Sequence, residues 1–444
     1  MAKRVEMRTL DAKTRINSFD EVALGYNKAE ALDEAKRCLN CKNPKCVEGC
    51  PVNIDIPKFI SLIKEDKLDD AYLEITQANS FPGICGRVCP QEKQCEGKCI
   101  RGIKEEPIAI GRLERFVSEN HKDLDNIVIK ENGMSVGVVG SGPAGLSLAS
   151  GARNKGYDVT IYEALHLAGG VLRYGIPEFR LPKKIVDEEI NSLLKKGVKI
   201  ELNTVIGKTL TLDELLEKHD YVFIGVGAGL PRFMNIPGEN LSGVMSANEF
   251  LTRVNLMKGY MDYDTPLKKA KEVVVVGGGN VAMDAARCAK RLGSNVTLVY
   301  RRDVKSMPAR LEEIHHAMEE EIIFKDLTNP NEIIGDENGF VKAIKCSKMK
   351  LGDLDESGRP SFIKLDEEVV LPADLVVMAI GNYPNPILND STDLITFNNK
   401  GLIVVNSDNF TTNPKVLAGG DIVTGAATVI LAMGAGKLAS SKLK

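Results

Sequence analysis

The sequence predicts an α/β protein in which a small helical segment precedes two strand–helix–strand units. Two observations predict the units: an apolar strand pattern runs into a glycine-rich turn at residues 134–145, and the pattern recurs at 272–282. A third observation separates the N-terminal part, because residues 38–99 contain eight of the ten cysteines. A chain of 444 residues is long enough for roughly three domains.

The N-terminal part is predicted to be a helical domain of residues 1–128. Residues 28–39 are dense in helix formers, and apolar residues at helical spacing over 57–78 predict one or two further helices. Residues 107–117 predict another helix, whereas residues 1–27 are polar and are expected to form an arm on another surface.

The cysteine spacing favours iron–sulfur ligation. The first run, from Cys38 to Cys50, is similar to the ferredoxin pattern C-x2-C-x2-C-x3-C-P with one longer gap. In that pattern the cysteine before proline serves the other of two clusters, and a proline follows both Cys50 and Cys89. Zinc and disulfides stay open as alternatives. Zinc prefers paired C-x2-C knuckles, and only Cys38 and Cys41 form one; disulfides need an oxidising compartment, and the N-terminus shows no signal peptide.

The first strand–helix–strand unit has the pattern of a Rossmann-like dinucleotide-binding domain. Such a glycine turn lets backbone amides and a helix N-terminus approach a pyrophosphate. Glu163 ends the next strand, about 20 residues beyond the turn, where an acid binds ribose hydroxyls. The turn, of pattern G-x-G-x-x-G, comprises Gly140, Gly142, Pro143, Ala144 and Gly145.

The second unit repeats this pattern but differs at the position of the acid. Tyr300 stands where Glu163 stands in the first unit, and Arg301 and Arg302 follow it. No carboxylate would repel a 2′-phosphate there and two guanidiniums could bind one, which favours NADP(H) over NAD(H). The alternative is that both arginines are only solvated. The turn, of pattern G-x-G-x-x-A, comprises Gly277, Gly279, Asn280, Val281 and Ala282.

The C-terminal segment is predicted to return to the first unit. A short strand ends in Gly420 and Asp421, and an apolar helix follows. This segment resembles the return segment of two-dinucleotide flavoproteins, in which the aspartate binds the ribityl chain of FAD. The resemblance implies a divided FAD domain of residues 129–240 and 375–444, with an NADP(H) domain of residues 241–374 between its parts. Residues 335–370 have the turn chemistry of β-hairpins.

The sequence offers no pair of thiols to receive electrons from a flavin. Residues 168–182, which follow the first unit, contain no cysteine, and Cys288 and Cys346 are isolated. The N-terminal clusters are therefore the expected one-electron exit.

Taken together, these motifs resemble the glutamate synthase small-subunit family over essentially the whole chain. The resemblance rests on the cysteine runs, both glycine turns, Pro107–Phe116 and Gly169-Gly-Val-Leu-Arg-Tyr-Gly-Ile-Pro. The family includes the large subunit of NADH-dependent ferredoxin:NADP oxidoreductase, sulfide dehydrogenase subunits and the N-terminal part of dihydropyrimidine dehydrogenase. Its members hold two 4Fe-4S clusters through seven cysteines and one oxygen ligand.

The resemblance implies particular ligands. Cys85 is left as a spare thiol, and no catalytic residue is assigned, because hydride passes between NADPH and FAD. One cluster takes Cys38, Cys41, Cys46 and Cys99, and the other takes Cys50, Cys89, Cys95 and Glu114. FAD takes the first glycine turn, Glu163, Gly169, Gly170, Arg173, Gly420, Asp421 and Thr428, and NADP(H) takes the second turn, Arg301 and Arg302.

The implied function is NADPH oxidation with electron transfer through FAD and the clusters to a partner. The expected role is that of a glutamate synthase small subunit, with a larger synthase subunit as partner. The alternatives are the large subunit of the bifurcating ferredoxin:NADP oxidoreductase, with a small flavin and iron–sulfur subunit and ferredoxin as partners, and a sulfide dehydrogenase-type subunit. A non-catalytic, zinc-binding scaffold is a further alternative from another class.

Composition restricts the remaining partners. The net charge of -3 argues against a general nucleic-acid-binding protein. No stretch approaches the roughly 20 apolar residues of a membrane span, and a reducing cytoplasm is the expected compartment. The chain has no room for an amidotransferase, and Ala2 leaves no N-terminal cysteine nucleophile.

Overall fold

The N-terminal domain is helical in the computed structural model, which describes residues 3–122, 129–355 and 358–444. The predicted domain end at residue 128 lies outside the described residues. Asn27 and Glu30 form a capping box that starts the second helix, and Asp55 caps the fourth. The helices are α1 (Ala12–Arg15), α2 (Lys28–Lys36), α3 (Lys45–Glu48), α4 (Ile56–Lys64), α5 (Leu68–Thr76), α6 (Pro82–Val88) and α7 (Ile110–Asn120). Three 3-10 turns, Gln91–Lys93, Glu96–Lys98 and Ile100–Ile103, separate α6 from α7.

The first strand–helix–strand unit forms a parallel sheet. Its central strand is buried along most of its length, because helices cover both faces of such a sheet. The unit contains β1 (Ser135–Val139), α8 (Pro143–Asn154), β2 (Asp158–Tyr162), α9 (Val171–Tyr174), α10 (Lys183–Lys195), β3 (Lys199–Glu201), α11 (Leu212–Lys218) and β4 (Tyr221–Ile224).

The second unit forms another parallel sheet and carries an antiparallel hairpin layer. A two-residue strand, β5 (Leu230–Pro231), precedes it. The sheet is built from β6 (Val244–Ser246), α12 (Ala247–Leu251), β7 (Glu272–Val276), α13 (Asn280–Arg291), β8 (Asn295–Val299), α14 (Leu311–Glu319) and β9 (Ile323–Lys325). The hairpin layer, which the turn chemistry predicts, consists of β10 (Thr328–Gly335), β11 (Val341–Leu354) and β12 (Pro360–Pro372).

The chain returns to the first sheet later than the predicted residue 375. The strand β13 (Leu375–Met378) pairs with β6 and β7 in the second sheet, and β14 (Asn382–Tyr383) pairs with β5 where the chain crosses over. A fully apolar strand suits either parallel sheet, so only its pairing decides where it belongs. The return is made by β15 (Val416–Ala418), α15 (Asp421–Thr424) and α16 (Val429–Lys442).

The two sheets have related strand orders. The first is β15-β4-β1-β2-β3 and the second is β6-β13-β7-β8-β9. In each, the strand that leads into the glycine turn is central, which places both turns at the carboxyl ends of parallel strands. The strands of the second sheet lie, in chain order, between β4 and β15 of the first sheet.

The N-terminal arm lies on both sheet units, which agrees with the prediction of an arm on another surface. Phe19 stacks on Tyr260 with ring centroids 4.1 Å apart, and Val22 donates a backbone hydrogen bond to Phe179. Arg15 reaches the end of α14, where its guanidinium binds Glu320 at 2.8 Å. Among the described residues, no helix has the length and apolar character needed to cross a membrane.

Candidate functional site

The first cysteine group lies near the protein surface. Cys38, Cys41, Cys46 and Cys99 line one cavity, whose other wall is made by isoleucines of α4 and the start of α7. Burial, together with the neighbouring Cys99 and Cys38, raises the pKa of the Cys46 thiol to about 12. Each of these four cysteines is only partly buried. The structure therefore brings together the four cysteines predicted for one cluster.

The second cysteine group is buried between the helical domain and the first unit. Cys50, Cys89 and Cys95 are 6–9% exposed, and Glu114 of α7 is 6% exposed. Burial raises the pKa of Cys50, and the nearby Glu114 and Cys89 act in the same direction. Burial also raises the pKa of Glu114 to about 8. The predicted second ligand set thus converges, although ligation itself stays a prediction.

Cys85 also lies in this second group, although the family resemblance sets it aside. Its sulfur is 3.4 Å from the Met433 sulfur and 3.6 Å from Asn79 Oδ1. The fully buried Asn79 donates to a Glu114 carboxylate oxygen at 2.6 Å. Asn79 is a site residue that sequence reasoning missed, because no local pattern indicates its contact with Glu114.

The donor set fits iron–sulfur clusters. All ten cysteines are free thiols, eight of them in these two groups. Among the described residues, no three His, Cys, Asp or Glu side chains converge closely enough to hold a single metal ion. Thiolates are the ligands that iron–sulfur clusters take, so four cysteines in the first group, and Cys50, Cys89 and Cys95 with Glu114 in the second, would suit such clusters.

The first glycine turn forms an open cradle above the first sheet. A Cβ added to Gly145 would lie 1.9 Å from the Gly140 oxygen, so the helix α8 can approach the turn only with glycine there. A Cβ at Gly142 would meet no heavy atom within 4 Å, which leaves space above the helix N-terminus. Pro143 and Ala144 start α8, whose N-terminal amides face this space.

The other residues predicted for FAD surround this turn. Glu163 accepts hydrogen bonds from the Ser141 backbone amide at 3.0 Å and from its hydroxyl, and Ser141 Oγ accepts from Gly169 N at 2.9 Å. A Cβ at Gly170 would lie 2.9 Å from the Gly142 Cα, so these segments are in contact. Ser141 was missed by sequence reasoning, although its place inside the G-x-G pattern was a signal.

The returning segment completes this site. Asp421 accepts from Ala427 N at 3.2 Å, and Thr428 caps α16, accepting from Leu431 N at 3.4 Å. Burial raises the pKa of Tyr174 to about 12, with Asp421 and Glu163 adding to the shift, so this tyrosine lies near both carboxylates.

Two predicted FAD residues have other contacts. Arg173 donates to Ala168 O at 2.7 Å and pairs with Asp187 rather than pointing freely into the cradle. Gly420 has a φ of 79°, and an added Cβ would lie 3.0 Å from the Ala144 Cβ, so it permits close packing against α8.

The second glycine turn forms a similar cradle. A Cβ at Gly277 would lie 2.3 Å from the Ala379 oxygen, whereas one at Gly279 would meet nothing within 4 Å. Asn280 accepts from the Arg310 backbone amide at 2.9 Å. Val281 is 39% exposed and Ala282 is fully buried. Both cradles thus leave room for a dinucleotide phosphate at a helix N-terminus.

The two arginines predicted for the 2′-phosphate have different surroundings. The Arg301 guanidinium lies 4.4 Å from the Phe362 ring centroid, and its side chain is exposed. Arg302 is 3% exposed, donates to Pro360 O at 2.5 Å and pairs with Asp355 at 2.7 Å. Arg302 therefore holds the hairpin layer, and Arg301 is the better placed of the two for a phosphate.

The isolated thiols are buried. Cys288 and Cys346 are fully buried, and burial raises the pKa of the Cys346 thiol to about 12. Neither has a cysteine beside it in the described sequence, as the spacing predicts.

Two glycine cradles and a cysteine-rich helical domain define a flavin-dependent pyridine nucleotide oxidoreductase with a 4Fe-4S domain. Residues 134–436 match the family described as pyridine nucleotide-disulphide oxidoreductase, and residues 15–125 match dihydropyrimidine dehydrogenase domain II, 4Fe-4S cluster. The glutamate synthase [NADPH] small chain of Escherichia coli (strain K12) is 34% identical, over 99% of this chain and 96% of that one. The chain belongs to the glutamate synthase small-chain family.

Similar proteins also occur in other assemblies. The NADP(+)-dependent formate dehydrogenase subunit beta of Moorella thermoacetica is 37% identical over 89% of this chain and 59% of that protein. The solved structure of Mycobacterium tuberculosis FprA in complex with NADPH superposes with a TM-score of 0.58 at 22% identity, covering 69% of this chain and 83% of that one. This last similarity concerns the fold of the two sheet units.

Proposed function

We propose that this protein oxidises NADPH and passes the electrons through FAD and two 4Fe-4S clusters to a partner subunit. When bound, FAD accepts a hydride as an electron pair and releases electrons singly, which is the chemistry that clusters need. The chain's own residues bind and orient these groups. The observation that carries the proposal is the order of the sites: flavin cradle, buried cysteine group, then surface cysteine group.

The buried cysteine group lies beside the helix that completes the flavin cradle. Met433 of α16 contacts the Cys85 sulfur, and Lys437 Nζ donates to the Val52 oxygen at 2.9 Å. A Cβ at Gly436 would lie 2.2 Å from the Ala144 oxygen, so α16 also packs closely on α8. One helix therefore connects the flavin cradle with the second cysteine group, which supports electron transfer between them.

The first cysteine group offers an exit at the surface. Leu39, Ile100 and Ile103, next to Cys38 and Cys99, are 51–77% exposed. Exposed apolar residues that cluster together commonly mark a protein contact surface. This surface supports docking of the electron-accepting partner at the first cluster.

The particular partner is proposed to be the large subunit of a glutamate synthase. The similarity to glutamate synthase small chains over nearly the whole length supports this choice. The second candidate is an electron-bifurcating or dehydrogenase assembly, favoured by the similarity to the formate dehydrogenase subunit. Both candidates use the same sites.

Anaerobic purification tests the proposal. About eight irons per chain, bound FAD and bleaching of the flavin by NADPH are expected. A colourless protein that carries zinc would overturn it, and faster bleaching by NADH than by NADPH would contradict the nucleotide assignment. Purification from the native source then identifies the partner: a very large subunit with a glutaminase domain supports glutamate synthesis, and a small flavoprotein supports bifurcation.

A further inference from the structure

Arg310 connects the second glycine turn with the buried cysteine group. Its backbone amide donates to Asn280 Oδ1 at 2.9 Å, directly after the open Gly279. Its guanidinium donates to the Arg87 oxygen at 2.6 Å and to Gln91 Oε1 at 3.1 Å, both in the segment that carries Cys85, Cys89 and Cys95. The residue is 7% exposed. A single side chain thus joins two domains that the sequence separates by more than 200 residues.

Gln91 extends this connection to Cys85 and to the helix that carries Glu114. Its amide nitrogen donates to the Cys85 oxygen at 3.3 Å. A Cβ added to Gly111 of α7 would lie 2.3 Å from this nitrogen, so Gln91 also packs against the helix that carries Glu114. Movement of the Arg310 guanidinium would therefore displace the surroundings of the predicted second cluster.

Arg310 also acts through its charge. Its guanidinium lies beside the segment that carries Cys89, because its hydrogen-bond partners Arg87 and Gln91 flank that cysteine in the chain. Reducing a cluster adds one negative charge, and the Arg310 guanidinium, which also pairs with Glu312 at 2.9 Å, would favour that added charge. The Arg310 Nε is itself buried without a hydrogen-bond partner among the described residues.

We propose that Arg310 is a positioning residue that couples nucleotide binding at the second glycine turn to the reduction potential of the second cluster. The inference rests on the proposed function, since it requires both groups. Asn280 holds the Arg310 backbone amide, so a phosphate bound at Gly279 would bear on the position of Arg310, whose guanidinium contacts the cysteine segment. By thermodynamic reciprocity, reduction of the cluster changes nucleotide affinity by the same factor.

The test is an anaerobic, EPR-monitored redox titration of the whole protein with and without 2′-phospho-ADP-ribose. This probe keeps the phosphates of NADP and lacks the nicotinamide, so it is not itself reduced. In the wild type, the probe is expected to shift the midpoint potential of one cluster signal. Arg310→Gln is expected to abolish the shift, and Arg310→Lys, which keeps the charge without the forked contacts, to reduce it.

Lys93→Met is the matched control. Lys93 Nζ donates to the Pro308 oxygen at 2.8 Å and to the Ala309 oxygen at 3.3 Å across the same interface, so this variant removes a cation and interface hydrogen bonds but leaves the contact between Arg310 and Gln91 in place. This variant is expected to retain the wild-type shift. Absence of a shift in the wild type, or an unchanged shift in both Arg310 variants, would overturn the inference. Failure of the proposed function is distinguished beforehand, because iron and flavin content are measured on every preparation.

Discussion

Asn79 donates a hydrogen bond to a Glu114 carboxylate oxygen at 2.6 Å, and both side chains are buried. The side-chain oxygen of Asn79, Oδ1, accepts a hydrogen bond from Phe81 N at 3.1 Å, which sets the orientation of the Asn79 side-chain amide. Burial raises the pKa of Glu114 to about 8, and the hydrogen bond from Asn79 opposes this shift. Asn79 therefore stabilises the charged carboxylate that a cluster ligand must be.

The proposed role of Glu114 as an oxygen ligand predicts a change in iron content. Glu114→Ala is expected to lower the iron content from about eight to about four per chain, because the second cluster loses its fourth ligand. Iron analysis and EPR spectra of the reduced protein measure this. Cys85→Ser is the control, since it changes a residue of the same group and is expected to keep both clusters. Two unchanged clusters in Glu114→Ala would show that this carboxylate is not a ligand.

The open glycines, Gly142 of the first turn and Gly279 of the second, predict that an alanine at each would impair the binding of a different nucleotide. Gly142→Ala is expected to lose most of the bound FAD, because the new methyl occupies the space above the N-terminus of α8. Both glycines have ordinary negative φ values, -72° for Gly142 and -90° for Gly279, so alanine should cost under about 1 kcal/mol of stability.

Gly279→Ala serves as the reciprocal control. It is expected to keep FAD and to weaken binding of NADPH, measured by flavin absorbance and by titration with the nucleotide. Loss of FAD from Gly279→Ala would reverse the assignment of the two cradles. Retention of FAD by Gly142→Ala would contradict the placement of FAD at the first turn.

The exposed Arg301 predicts the preference for NADPH. A charge-assisted hydrogen bond contributes about 1.5–3 kcal/mol, so Arg301→Ala should raise the KM for NADPH roughly 10- to 100-fold. The KM for NADH should stay within about twofold, since NADH has no 2′-phosphate to bind. Steady-state kinetics with both nucleotides measure this. Lys364→Ala is the control, because it removes an exposed cation from β12, the strand that carries Phe362 beside Arg301. An equal rise in the KM for NADPH in this variant would mean that only general charge attraction is involved.

Glu320 predicts a stability effect with a defined pH range. It is fully buried and pairs with Arg15, Arg287 and Arg291 at 2.7–2.8 Å. Burial alone would raise the pKa of Glu320, but hydrogen bonds from Arg291 and Arg287 lower it to about 2 from 4.5. The stabilisation is therefore complete above pH 4.5 and is lost as the pH falls towards 2.

Glu320→Gln is expected to lower the free energy of unfolding by about 3–5 kcal/mol, because it leaves buried guanidiniums without their partner. Anaerobic urea titrations between pH 8 and pH 5 should give a constant difference from the wild type. Glu321→Gln, which removes a carboxylate that is 77% exposed, should change stability by under about 1 kcal/mol. A difference that already shrinks between pH 8 and pH 6 would contradict the assigned pKa.

The sequence predicted the elements well wherever the local pattern was strong. Both glycine turns, the helices flanking the cysteines and the hairpin layer follow from spacing and turn chemistry, and each is present in the fold. The sequence could not predict to which sheet residues 375–378 belong, because an apolar strand of four residues suits either parallel sheet. The different surroundings of Arg301 and Arg302 depend on the distant hairpin at Asp355 and Pro360.

The sequence by itself determined the fold class, the two dinucleotide units and the grouping of eight cysteines, since these depend on residues close together in the chain. Only the tertiary structure decided which distant parts of the chain meet. It brought Asn79 to Glu114, Met433 to Cys85, and Arg310 to both Asn280 and Gln91. Such contacts join residues 30 to 348 positions apart, and their geometry is set by packing of whole helices and sheets rather than by local propensity.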